Sequence, residues 1–147
     1  MNIAIASDHA GFDQKTTVTD YLHEQGYTVE DFGPATDESV DYPDFAEMVA
    51  RTVAEGMADF GILLCGTGIG MAMAANKIEG IRAANITNPE LAPLAREHND
   101  ANVLTLSARY VDAQTNIKII KSFLATPFGE GRHAQRVEKI KRLEVLD

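Results

Sequence analysis

The chain has 147 residues, 45% of them hydrophobic, 24% charged and one a cysteine. That balance excludes a disordered chain, and a length sufficient to bury a core excludes dependence on a disulfide framework. Lys and Arg number 13 against 22 Asp and Glu, a formal charge of −9, so neither nucleic acid nor an anionic membrane is the expected partner.

A single cysteine suits a reducing compartment. The first residues carry no basic leader, and the most apolar run, around 60–64, is too short to cross a bilayer. The expectation is a cytoplasmic protein whose residues 1–147 form one domain.

Short β-branched runs alternate with longer helical ones. A strand is predicted over 3–6, then a helix over 13–25 with Val18, Tyr21 and Leu22 on one face and Gly26 as its stop. A second strand covers 28–32 and closes at Gly33-Pro34. After a loop through Asp41-Tyr42-Pro43, Asp44 and Glu47 form a capping-box pattern for a helix with Phe45, Met48, Val49 and Val53 at helical spacing. The continuous apolar run 60–64 reads as a central strand covered on both faces. It leads into Cys65-Gly66-Thr67-Gly68-Ile69-Gly70 and a helix over 71–76. A fourth strand over 82–86 is followed by Asn88-Pro89-Glu90, a helix start with cap, proline and acid in order. A fifth strand covers 103–106. Asp112 caps a helix with Ile117, Ile120, Phe123 and Leu124 inward, ending near Pro127. A last helix from about His133 carries Val137, Ile140 and Leu143.

This alternation predicts a Rossmann-like three-layer α/β/α fold on a five-stranded parallel sheet. Ligands in such folds bind at the carboxyl ends of strands. The segments from Ser7 to Gly11, Cys65 to Gly70, Thr87 onward, and Ser107 to Arg109 are therefore expected at the ligand end.

The loop from Cys65 to Gly70 has three alternating glycines between strand and helix, which lets backbone amides converge on an anion. Its spacing is not that of a dinucleotide fingerprint, and no Gly-Lys exists for a P-loop. Cys65 stands where the positive end of a helix favours thiolate. An isolated cysteine is also commonly a buried small hydrophobe. Thr67 suits an oxyanion donor or a plain helix cap.

His9 follows Asp8 after the first strand. His98 closes a helix, with Asn99, Asp100 and Asn102 behind it, and both histidines are expected on ligand-end loops. Asn99 and Asn102 also suit C-caps. Arg132 and Arg136 share a helix face and can fork onto one phosphate. On spacing alone they read better as a solvated basic face, with Lys139, Lys141 and Arg142 following. Arg109 is a third candidate cation. One Cys and four scattered His leave no zinc-ligand spacing.

Seven motifs, in order and spread over nearly the whole chain, resemble the ribose-5-phosphate isomerase B family. They are Ser7-Asp8-His9-Ala10-Gly11-Phe12, Asp41-Tyr42-Pro43, the loop Cys65 to Gly70, Ala74-Ala75-Asn76-Lys77, Gly80-Ile81-Arg82-Ala83, the run Arg96-Glu97-His98-Asn99-Asp100-Ala101-Asn102-Val103-Leu104, and Gly131-Arg132-His133 through Arg136-Val137. That family also holds galactose-6-phosphate, allose-6-phosphate and tetrulose-phosphate isomerases. The resemblance implies a metal-free, cofactor-free aldose–ketose isomerase, a homodimer or tetramer with sites where subunits meet. It makes Cys65 the base moving a proton between C1 and C2. Thr67 and His98 help open the sugar ring, and the amides from Gly66 through Gly68 and Ile69 to Gly70 hold the enediolate. Asp8, His9 and Asn99 bind the sugar, and Arg109, Arg132 and Arg136 form the phosphate clamp, some of them reaching across the interface.

Three departures stand out. Gln14 replaces a common Leu, Pro93 falls in the helix leading to Arg96 and His98, and Ser107-Ala108 replaces a commoner glycine-containing pair. Pro93 is expected to interrupt its helix. The substrate implied first is ribose 5-phosphate. Another sugar phosphate (allose 6-phosphate, galactose 6-phosphate or a tetrulose phosphate) and a non-catalytic sugar-phosphate-binding module are the alternatives.

Overall fold

The computed structural model describes residues 1–144. The strands β1 (Asn2–Ser7), β2 (Thr28–Asp31), β3 (Phe60–Cys65), β4 (Ala83–Asn85) and β5 (Val103–Ser107) pair in parallel in the order β2-β1-β3-β5-β4. Helices α1 (Phe12–Glu24), α2 (Tyr42–Ala54), α3 (Ile69–Ala75), α4 (Ala92–Asn99), α5 (Ala113–Ala125) and α6 (Arg132–Arg142) complete the described residues, with a 3₁₀ turn at Pro89–Leu91 before α4. This is the three-layer parallel-sheet fold that the alternation predicts.

Alternation along each strand sorts the core into two layers. Ile3, Ile5, Ile62, Leu64, Leu104 and Leu106 pack under Val18 and Leu22 of α1, Ala92 and Ala95 of α4, and Ile119, Ile120 and Phe123 of α5. The opposite face presents Ala4, Ala6, Leu63, Cys65 and Val103 to α2 and α3. β1, β3 and β5 are buried on both faces, so they read as largely apolar runs in the sequence, with Thr105 the polar residue inside β5.

Several local expectations shift. The helix α2 starts at Tyr42, with Asp41 at its N-cap and Pro43 in its first turn, so Asp44 and Glu47 form no capping box. Its buried stripe is Ala46, Val49, Ala50 and Val53, while Met48 is exposed. On α5 the inward residue is Ile119 rather than Ile117, and Asp112 caps the helix by accepting from the Thr115 amide at 2.7 Å, as predicted. Pro93 does not interrupt α4. It occupies the first turn, where a missing N–H has no partner to lose. Asn102 is not a C-cap. Its side chain accepts from the Arg82 amide and donates to the Gly80 carbonyl, both at 2.8 Å, pinning the approach to β4.

One buried charge has no counterpart in the sequence reading. Lys15 of α1 is 4% exposed, and its ammonium donates to both oxygens of Asp31 at 2.8 and 2.9 Å and to the Pro34 carbonyl at 3.1 Å. It ties α1 to the end of β2. No helix among the described residues is long and apolar enough to cross a membrane.

Candidate active site

The carboxyl end of the sheet gathers the ends of β1, β3 and β5. The amide of Asp8 donates to the Leu64 carbonyl at 3.1 Å, which sets the turn after β1 beside β3. Asp8 is nearly buried, and its Oδ1 accepts from the Gly11 amide at 3.0 Å. His9, half-buried, accepts from the Val40 amide on Nδ1 at 3.4 Å. An acceptor Nδ1 places the ring proton on Nε2.

Cys65 is the last residue of β3 and is 5% exposed. The buried-hydrophobe description therefore fits its place in the core layer under α2 and α3. Its sulfur nevertheless accepts from the Gly68 amide at 3.1 Å, so the thiol is aimed into the glycine turn. Gly68 has φ +83°, and Asn85 Oδ1 fills the space a Cβ would need there. Both demands restrict the position to glycine. Thr67 is exposed, and its hydroxyl oxygen accepts from the Ile69 amide at 3.1 Å, the cap-like geometry anticipated. That leaves its own proton available to donate. The ring of Tyr42 covers Gly70, where a Cβ would lie 2.6 Å from ring carbons. This is the structural use of the Asp41-Tyr42-Pro43 motif.

Arg109 follows β5. Its amide donates to the Gly66 carbonyl at 3.1 Å, and its guanidinium lies over Gly66, 3.2 Å from where a Cβ would be. A cation is thus placed on the thiol-bearing loop.

His98, Asn99, Arg132 and Arg136 do not join this group. A helix between parallel strands runs back along the sheet, so α4 ends at the start of β5, at the amino end. From Gly61, which pairs with Val103 there, to Cys65 is four residues, roughly 13 Å along the strand. The expectation that His98 lies on a ligand-end loop is corrected by this direction of travel. At the amino end His98, Arg132 and Arg136 gather around His133, and Asn99 follows His98 at the end of α4. The His98 and His133 rings stack at 4.4 Å and 15°, and the Gly129 amide donates to the Glu97 carbonyl at 2.9 Å. Partial desolvation of His133, then the charges of His98, Arg132 and Arg136, hold its imidazole below the ordinary histidine range, with Glu97 opposing.

This second cluster rests on a network that sequence reasoning missed. Arg96 donates to Asp100 Oδ1 at 2.9 Å and to the carbonyls of Ala101 and Thr126, and it lies over the rings of Phe60 and Phe123. Arg82 meets Asp100 Oδ2 at 3.1 Å. Asp100 itself is the left-handed C-cap of α4, φ 48°. The four-residue spacing of Arg96 and Asp100 is the one sequence signal that could have found it. Asp100→Ala should destabilise the protein by about 2–3 kcal/mol, because two largely buried guanidinium groups lose their carboxylate. Urea unfolding measures it, and a loss below about 1 kcal/mol would contradict this account.

A cavity of about 710 Å³ opens between the end of α3, β4 and α6, lined by Asn76, Lys77, Asn99, Ile140 and Leu143 among others. It lies on the side of the second cluster, away from the sulfur. Among the described residues no three His, Cys, Asp or Glu converge as metal ligands.

A glycine turn holds a thiol at one end of the parallel sheet, and histidines and paired arginines lie at the other. The chain belongs to the Ribose/Galactose Isomerase family, which matches residues 3–140. It is 48% identical over 145 residues to the probable ribose-5-phosphate isomerase B of Mycoplasma genitalium, covering 97% of this chain and 95% of that one. The structure of Clostridium thermocellum ribose-5-phosphate isomerase B superposes with TM-score 0.97 at 49% identity, covering 98% and 97% of the two chains. That of the Mycoplasma genitalium ribose-5-phosphate isomerase B with bound ribulose-5-phosphate gives 0.94 at 48%, covering 97% and 95%.

Proposed function

We propose that the chain interconverts ribose 5-phosphate and ribulose 5-phosphate, and that residues 1–147 act as one catalytic domain in the cytoplasm without a cofactor. The observation that carries the reading is the sulfur of Cys65 held in the glycine turn whose Gly66 lies beneath the Arg109 guanidinium. Isomerisation needs a base at the reacting carbons, donors for the oxygen that gains charge, and an anchor on the far phosphate. Cys65 takes the proton from C2 of the open-chain aldose and returns it to C1, while the O2 proton passes to O1. The amides from Gly66 to Gly70 and the Thr67 hydroxyl stabilise the enediolate between these steps. Asp8 and His9 bind sugar hydroxyls, with His9 donating from Nε2.

The remaining roles fall to His98 as ring-opening proton donor, Asn99 as a sugar ligand, and Arg132 and Arg136 as phosphate ligands beside Arg109. All four stand at the wrong end of the sheet to serve the sulfur of their own chain. A second copy turned end for end brings them to it, so the working unit is a homodimer with two shared sites, or a tetramer built from it. The same geometry accounts for the sulfur lying outside the 710 Å³ cavity.

The test is turnover of phosphorylated aldoses of four to six carbons in deuterated water. The highest kcat/KM is expected for ribose 5-phosphate, with deuterium entering C1 of the ketose. Preference for a hexose or tetrose phosphate would overturn the substrate, and saturable binding without exchange would overturn catalysis.

A further inference from the structure

Gln14 of α1 and Ser107 of β5 meet in one buried network with Asn116 of α5. Asn116 is fully buried. Its amide nitrogen donates to Gln14 Oε1 at 2.8 Å and to the Ser107 carbonyl at 3.0 Å. Gln14 in turn donates from Nε2 to the carbonyls of Val111 at 2.8 Å and Ala108 at 3.2 Å. The carbonyls facing the two amide nitrogens can only accept, so neither amide can be flipped without losing bonds. Ser107, 1% exposed, works on the other side. Its hydroxyl donates to the Gly66 carbonyl at 2.8 Å and accepts from the Tyr110 amide at 3.1 Å.

The turn between β5 and α5 is therefore fastened twice. Its carbonyls at 107, 108 and 111 are held from α1 and α5, while its Ser107 hydroxyl and the amides of Ala108 and Arg109 grip the backbone of Cys65 and Gly66. Arg109 is the residue in the middle of that turn whose side chain reaches over Gly66.

We infer that Gln14, Asn116 and Ser107 are positioning residues that lock the Arg109 turn to the thiol-bearing loop and so set where the guanidinium meets the substrate phosphate. The inference rests on the phosphate-binding role proposed for Arg109. A leucine at position 14 would leave the Ala108 carbonyl without its side-chain donor and the Val111 carbonyl with only the 3.5 Å contact from Asn116, and free the turn to shift.

The experiment compares the parent, Gln14→Leu, Arg109→Ala and the double variant on ribose 5-phosphate, with a crystal structure of Gln14→Leu. Gln14→Leu removes three neutral hydrogen bonds, and loosening the turn should raise KM about fivefold, with kcat within about twofold of the parent. In the Arg109→Ala background the same change should have no further effect on KM. The crystal structure should show the Arg109 guanidinium displaced from Gly66. An unchanged KM, or an equal rise with and without Arg109, overturns the inference, as does a guanidinium that stays in place. The outcomes separate this inference from the proposed activity. A parent inactive on ribose 5-phosphate, with Arg109 still displaced in the variant, refutes the activity alone. An active parent with Arg109 and KM unmoved refutes the positioning alone.

Discussion

Cys65→Ala should lower kcat for ribose 5-phosphate by roughly 10³-fold, within the range a positioned general base contributes. The fold should survive, because the side chain is small and the rest of its core layer is unchanged. Cys65→Ser should be nearly as inactive, since a hydroxyl at this position is a far poorer proton acceptor near neutrality. Circular dichroism and thermal melting would verify the fold, and initial rates the loss. A variant retaining more than about a tenth of parent kcat would remove the sulfur from the proton transfer.

The second large effect is a recovery. His98→Ala should also be severely impaired, by about 10²-fold. Mixed in equal amounts and allowed to exchange subunits, Cys65→Ala and His98→Ala chains should regain about a quarter of parent activity. Half of the dimers are then hybrids, and each hybrid has one site with both groups intact. Native mass spectrometry would establish that hybrids form. Hybrids without activity would mean that His98 serves the sulfur of its own chain, against the direction in which α4 runs.

The strands were legible because β1, β3 and β5 are covered on both faces and therefore mostly apolar. Helix faces were less so. Ala46 and Ala50 carry the buried stripe of α2, and alanine barely registers in a hydrophobic period although its small side chain lets a helix settle close to the sheet. The start of α2 was misplaced because Pro43 and Asp41 define it, while Asp44 and Glu47 only imitate a cap.

The Cys65 loop was visible through its glycines, whose φ values and close contacts are demands on single positions. The location of His98 was not, because it depends on which way a helix travels between strands rather than on any local pattern. Gln14 and Asn116 lie 102 residues apart, and neither is unusual in its own helix. Only the fold brings them together.

The Tyr42 ring seated on Gly70 means that the first turns of α2 and α3 cannot move independently. A displacement in the segment before Tyr42 is passed to the glycine turn whose Gly68 amide holds the sulfur. The stiffness of the glycine turn is thus supplied in part by a neighbouring helix, through one aromatic ring.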